Sequence, residues 1–402
     1  MIPFSPPYVD QTVIDEVVSS LNSGWITTGP KVYALEEEIA KFTGVNKVLC
    51  INSWTSGAIM MLKWFGVGAG DEVIVPAYTY SATALAVLHC GAKPVMVDVN
   101  TDFSINIEAI RESITKRTKV IIPVDIAGWP CDYDSMLSLA SDHSIRKLFH
   151  ASNDIQSKLN RILVLADSAH SFGAIFNNKK ISNADISIFS LHAVKNLTTA
   201  EGGAICLNLP EPFDNPELYK FLRIMSLNGQ TKDAFSKSQA GGWRYDIIMQ
   251  GMKINMPDIC AAVGLAQIRI YPKLLEERKR IFLRYSEHFA KYSWAQLPPF
   301  ENQQQTSSCH LYALRFIGVN EKQRDQIIEE ISKKEVAVNV HFLPMPMLTL
   351  FKELGYKISD YPVAYDNYSR ELSLPIYPQL TNSQVDYVAE SVTSSYEKVM
   401  LK

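Results

Sequence analysis

The chain has 402 residues, 47% hydrophobic and 20% charged, enough for roughly two to three domain-sized units around a substantial buried core. Its net charge of -3, with both signs interspersed and no extended Lys/Arg run, argues against a nucleic-acid partner. No basic leader precedes an apolar stretch and no window reaches about eighteen uninterrupted apolar residues, so the expectation is a cytoplasmic protein with no membrane partner.

In chain order, apolar residues at helical spacing predict helices over 10–21 and 32–42, the first stopped by Asn22-Ser-Gly24. The apolar run 48–51 reads as a strand, followed by the polar turn Asn52-Ser-Trp-Thr-Ser-Gly57 and a helix over 58–65. The same order repeats with a strand at 71–76, a helix at 80–90 and strands at 94–98 and 120–124. Such alternation predicts an α/β fold with a mainly parallel central sheet between helices. Residues 141–161, rich in Lys, Arg, Asn and Ser, read as a surface excursion ahead of a strand at 162–165. Strands follow at 186–189 and 203–207, then a long helical stretch over 261–284. The remainder mixes strands at 312–317 and 337–342 with helices at 324–333 and 382–397. Residues 1–255 are assigned to a large domain and 256–402 to a smaller C-terminal α+β domain, with the N-terminal segment free to pack on the latter. The six cysteines are scattered without a C-x-x-C pair, which fits reduced thiols and indicates no metal site.

Two segments carry the chemistry. Leu165-Ala-Asp-Ser-Ala-His170 closes a strand with a carboxylate, and Ser190-Leu-His-Ala-Val-Lys195 places an amine just past the next strand. A pyridoxal phosphate (PLP) site needs both: Asp167 to keep the pyridine nitrogen protonated and Lys195 to carry the aldehyde as a Schiff base. A lone carboxylate at the end of an apolar strand is costly unless paired, and a pyridinium N–H is a suitable partner. Isolated, Lys195 would read as a solvated loop residue and Asp167 as a cap, but their joint context reverses that. His170 is a candidate donor to the phenolic oxygen of the cofactor, against the alternative of a packed core histidine. Thr55, in the turn that opens the helix after the first strand, and Ser190 are candidates for the phosphate, although Ser and Thr cap helices everywhere. Tyr80 is placed to stack on the ring, with core packing as its rival. Gly66-Val-Gly-Ala-Gly70 leads into a strand instead of opening a helix, so it is not a dinucleotide loop.

Together these stretches resemble the DegT/StrS-type nucleotide-sugar aminotransferases, PLP enzymes of the aspartate aminotransferase fold (fold type I). The likeness runs from Ser23-Gly-Trp-Ile-Thr-Thr-Gly-Pro30 through the Asp167 and Lys195 segments and Asn255-Met-Pro-Asp258 to His310-Leu-Tyr312, His341-Phe-Leu-Pro344 and Leu374-Pro-Ile-Tyr-Pro378. It implies transamination of a nucleotide-linked keto sugar, a 4-keto-6-deoxy hexose above all, with an amino acid donor such as L-glutamate, for polysaccharide or glycoconjugate biosynthesis. It also implies a homodimer with shared active sites, in which Lys253 stands where many relatives use Asn to reach the partner's phosphate. Trp54 replaces a usual Gly beside Thr55 in the cofactor loop, Asp125 replaces a frequent His, and Trp25, Thr27, His310 and His341 are implied substrate contacts. Alternatives on the same scaffold are a sugar 3-dehydrase, which carries His at the lysine position, a cyclitol aminotransferase and a non-catalytic regulatory protein.

Overall fold

The computed structural model describes residues 1–180, 183–232 and 243–401. Its centre is a seven-stranded sheet of β1 (Lys47–Ile51), β2 (Glu72–Pro76), β3 (Lys93–Val97), β4 (Thr118–Ile121), β5 (Leu163–Asp167), β7 (Ile186–Ser190) and β8 (Gly203–Leu207), with β6 (Ile175–Phe176) outside it. The order is β1-β8-β7-β5-β4-β2-β3, and every neighbouring pair is parallel except those made by β8, which runs against both β1 and β7. Strands β2, β4, β5, β7 and β8 are buried along their whole length, which explains their continuous apolar runs: helices cover both faces of the sheet.

Helices are punctuated where side chains satisfy their free N–H groups. Asp10 caps Gln11–Asn22 through Val13 N at 3.1 Å, and Ser53 caps Trp54–Trp64 through Ser56 N at 3.1 Å. Gly44, at φ 82°, ends Pro30–Thr43 in the left-handed region that glycine adopts without strain.

The smaller domain holds β9 (Ala295–Gln296), β11 (Tyr312–Phe316) and β12 (Glu371–Leu374) in an antiparallel sheet, while β10 (Gln305–Thr306) pairs with β6 of the large domain. Its core takes in the helices Glu321–Ser332 and Asn382–Met400 and also Ile2, so the N-terminal segment packs here. The helix Asp258–Phe289 serves both domains: Ala261, Leu265, Ile268 and Tyr271 pack beside Val32 and Leu35, whereas Ile281, Phe282, Tyr285 and Phe289 enter the small-domain core. Packing partners therefore change within this helix, between Tyr271 and Ile281.

Two expectations change. Residues 337–342 form no strand: Val336 and Asn339 make isolated bridges to Ile2 and Ser373, the Val340 N–H goes to Asn339 Oδ1 at 2.8 Å, and the His341 N–H goes to the Glu371 carboxylate at 3.0 Å instead of to a ladder. Residues 141–161 are more than a surface excursion, because the helices His143–Leu148 and Asp154–Leu159 bury Ile145, Gln156 and Leu159. The fully buried Gln156 side chain donates to the Phe65 carbonyl at 2.9 Å and so ties the segment to the large domain. Among the described residues no helix is long and apolar enough to cross a membrane.

Candidate functional site

The C-terminal ends of β1, β2, β5 and β7 meet at one edge of the sheet, where open α/β sheets place their ligand crevices. A cleft of about 430 Å³ opens there, and Thr55, Tyr80, Asp167, His170, Ser190, Lys195, His310 and His341 all line it, as does Trp54. Their places follow from topology: Asp167 ends β5, Ser190 ends β7, Thr55 lies in the first turn of the helix after β1, and the turn after β2 carries Tyr80.

Asp167 is buried and accepts two hydrogen bonds, from the Thr83 hydroxyl at 2.9 Å and from Ala169 N at 3.2 Å. A carboxylate can accept about four, so its desolvation is only partly offset, and burial pushes its pKa up to about 7 despite the Thr83 bond. Lys195, surrounded by protein yet reached from the cleft, is moved the other way: burial lowers it to about 8, opposed by the attraction of Asp167. The pair thus combines an acid in need of a cationic partner with an amine that is partly neutral near physiological pH.

Two of the histidines, His170 and His310, are held in defined tautomers. His170 Nδ1 accepts the Ala127 N–H at 3.3 Å, so its proton sits on Nε2. His310 Nδ1 lies 2.9 Å from Asn196 Oδ1, and Asn196 Nδ2 donates to the Ser308 carbonyl at 2.8 Å. The amide oxygen must accept, so His310 carries its proton on Nδ1 and leaves Nε2 bare. The two rings lie 4.3 Å apart, and burial drives both pKa values well below the usual range, so both stay neutral.

At the other end of the cleft the helix Trp54–Trp64 begins with Ser53 as its cap, leaving the partial positive charge of a helix N-terminus beside the Thr55 and Ser190 hydroxyls. Gly203 lies so close beneath that turn that a Cβ would come within 2.8 Å of Ser53 C and Trp54 N, so only glycine lets the backbone approach. Pyridoxal phosphate fits these groups: the under-satisfied Asp167 can pair with its ring N–H, the Lys195 amine can hold its aldehyde, and the helix start can hold its phosphate. The fold is that of a fold type I PLP enzyme, and the groups lining the cleft suit its cofactor.

Comparison with known proteins leads to the same place. Residues 7–393 match the model of the DegT/DnrJ/EryC1/StrS aminotransferase family. The chain is 44% identical to the Streptococcus pneumoniae protein Spr1654, described as a sugar aminotransferase, whose PMP form superposes with a TM-score of 0.95 over 100% of both chains. A PLP form of the same protein gives 0.94. Helicobacter pylori PseC, an aminotransferase involved in the biosynthesis of pseudoaminic acid, shares 28% identity with a TM-score of 0.87 over 99% of both chains. The spore coat polysaccharide biosynthesis protein SpsC of Bacillus subtilis is 34% identical over 401 residues, covering 97% of this chain and 96% of its own. The chain belongs to the DegT/DnrJ/EryC1/StrS aminotransferase family, and its cofactor is pyridoxal phosphate.

Three sequence-derived candidates lie outside the cleft of their own chain. Trp25 donates its indole N–H to the Thr28 carbonyl at 3.1 Å, and the Thr27 carbonyl accepts Asp258 N at 3.2 Å, so this segment is fastened to the start of Asp258–Phe289. Lys253 is exposed and donates to Asn255 Oδ1 at 2.7 Å. Asp125 does not face the cleft either: it is buried among Ser171, Tyr133 and Cys131, accepting bonds of 2.6, 2.7 and 2.9 Å behind the site. Sequence reasoning passed over Phe4, Thr83 and Asn196. The hydroxyl of Thr83, one helical turn after Tyr80, was a usable signal; Phe4 offered none, since only the tertiary fold brings the N-terminal segment to the cleft.

Proposed function

We propose that this aminotransferase moves an amino group from an amino acid, L-glutamate, to a keto sugar carried on a nucleotide, a 4-keto-6-deoxy hexose, and so makes an amino sugar for polysaccharide or glycoconjugate biosynthesis. The observation that carries the reading is the meeting of Asp167 and Lys195 at one sheet edge, each with a pKa moved toward the neutral range. The sugar is supported by the relatives, which include a sugar aminotransferase and proteins of polysaccharide and pseudoaminic acid biosynthesis.

When bound, the cofactor supplies an aldehyde for exchange of the amino group and a protonated ring that withdraws electrons from the reacting carbon. Asp167 holds the ring proton. His170, with its hydrogen on Nε2, donates to the phenolic oxygen, and Tyr80 covers a ring face. Thr55, Ser190 and the amide end at Trp54 bind phosphate. Lys195 holds the cofactor and, as a neutral amine, takes a proton from the substrate carbon and returns it at the next step. His310 and His341 face the substrate.

The working unit is a homodimer in the cytoplasm with shared sites, in which Lys253 of one subunit serves the phosphate of the other, and Trp25 and Thr27 act across the same interface. In support, Ile14, Val18, Leu21, Trp243, Ile247 and Ile248 are large apolar side chains left exposed on the single chain. The presence of Lys195 speaks against a 3-dehydrase, which carries His there; a cyclitol ketone remains the alternative acceptor.

The test is optical. The purified protein should show the visible band of lysine-linked PLP, L-glutamate should bleach it, and the correct keto sugar should restore it. Lys195→Ala should lose turnover by several orders of magnitude; an unchanged rate would remove Lys195 from the chemistry.

A further inference from the structure

Behind His341 the structure holds two polar groups that the chemistry above does not use. Glu371 and Ser373, two apart on β12 and therefore on one face, are both fully buried. The Ser373 hydroxyl donates to Glu371 Oε1, and His341 Nδ1 lies 2.9 Å from the same hydroxyl. The other oxygen, Glu371 Oε2, accepts the His341 backbone N–H at 3.0 Å. His341 itself lines the cleft, its ring stacked 5.4 Å from Phe4, and its Nε2 has no hydrogen-bond partner among the described residues.

We propose that Glu371, Ser373 and His341 form a proton relay that decides whether the cleft-facing Nε2 of His341 offers a hydrogen or a lone pair to a substrate oxygen.

The hydrogen count has two solutions. With Glu371 ionised, the single Ser373 hydrogen goes to the carboxylate, the serine oxygen accepts from His341 Nδ1–H, and Nε2 is bare. With Glu371 protonated, its O–H donates to Ser373, the serine turns its hydrogen to Nδ1, and Nε2 carries the proton. The second state differs from the first by one proton, which enters at Nε2 while the Nδ1 hydrogen passes to serine and the serine hydrogen to Glu371. No other atom moves, and a fully buried carboxylate gains its exchange route to water.

The groups facing Glu371 allow both states. Arg324 donates to its backbone carbonyl at 2.9 Å, Arg315 stands opposite it in the β11–β12 register, and the Tyr78 hydroxyl donates to the His341 carbonyl. Neither guanidinium hydrogen-bonds the carboxylate: Arg324 turns to Asp325, and Arg315 to Asn367. Burial therefore prevails over both cations and raises Glu371 to about 8. His341, lowered to about 4 by burial and by the Lys195 charge, keeps a neutral ring throughout, so only its tautomer changes.

Below the step, Nε2–H suits a carbonyl or hydroxyl oxygen of the acceptor; this clause rests on the sugar reading, whereas the relay does not. Histidine labelled with a magnetic nitrogen isotope, observed by NMR in the holoenzyme with His341→Gln assigning the signal, reads the tautomer directly. The wild type should pass from Nε2–H to Nδ1–H as pH rises through about 8, Ser373→Thr should keep the step, and Ser373→Ala should lose it. One tautomer across that range in the wild type, or the same step in Ser373→Ala, overturns the relay. In kinetics, KM for the keto sugar should rise roughly three- to tenfold more through the step in the wild type than in Ser373→Ala, the size of one neutral hydrogen bond, which separates the relay from the titration of Lys195 common to both proteins. A wild type that turns over no nucleotide keto sugar yet shows the NMR step sinks the substrate and spares the relay.

Discussion

Asp167→Asn should change how the cofactor-free protein responds to pH, by an amount that follows from the site. The carboxyl titrates near 3.8 in the unfolded chain and at about 7 in the folded one. Because the folded value is raised, the stability it contributes is fully present below about pH 4 and is lost as pH rises through about 7: the unfolded chain releases its proton first. At 1.36 kcal/mol per unit, the loss between pH 5 and pH 8 comes to roughly 2–3 kcal/mol of a total of about 4, the rest being lost below pH 5. Asparagine keeps the shape, and its amide can turn its nitrogen to the Thr83 oxygen, freeing that hydroxyl to donate to Thr79, 3.2 Å away. The variant has no proton to release. Urea unfolding of both proteins without cofactor, at matched concentration to hold any association constant, measures the difference. The wild type should lose roughly 2–3 kcal/mol more than Asp167→Asn on going from pH 5 to pH 8. Parallel pH dependences in the two proteins would falsify the claim that a desolvated carboxylate awaits a cation there.

Gly203→Ala should destabilise the chain by roughly 1–3 kcal/mol and weaken cofactor binding about tenfold or more, since the added methyl meets the backbone of Ser53 and Trp54 at 2.8 Å. Fluorescence titration with PLP checks it, and an unaltered affinity would detach that turn from the phosphate. Shared sites predict complementation: Lys195→Ala and Lys253→Glu homodimers should both be impaired, while mixed dimers of the two regain one site with both lysines intact. Activity that never rises above the average of the parents argues that each site is built from one chain.

How far the sequence disclosed this depends on how local each signal is. The gathering of Lys195, Asp167, His170 and Thr55 at one cleft was legible because each lies in a short segment that follows the end of a strand, where open α/β sheets place their crevices. The strands of the sheet were legible for the same reason, being buried apolar runs bounded by turns. Residues 337–342 misled because Ala337-Val-Asn-Val340 has strand composition, while what decides the ladder is the distant Glu371, which takes the His341 N–H. The strand Glu371–Leu374 is absent from the predicted elements: its alternate positions are polar, but they face protein instead of water and pair with one another. Phe4 and the shared role of Asp258–Phe289 depend on contacts between segments far apart in the chain, which no window contains.

The one strand that breaks the parallel pattern explains why Lys195 is held so firmly. A parallel neighbour of β7 would need a crossover carrying the chain over the sheet face before returning. Because β8 runs antiparallel, residues 191–202 leave β7 and enter β8 at the same edge, and Leu191 closes the loop by donating to the Gly202 carbonyl and accepting from Thr199 N, each at 2.9 Å. The lysine stays over the carboxyl end of β5 as a consequence of strand direction. Reversal also sets which residue of β8 meets the cofactor turn: it is Gly203, the first of the strand, where a parallel strand would bring Leu207. A leucine there would fill the space that Ser53 and Trp54 occupy. One inverted strand thus both positions the amine and clears room for the start of the helix Trp54–Trp64.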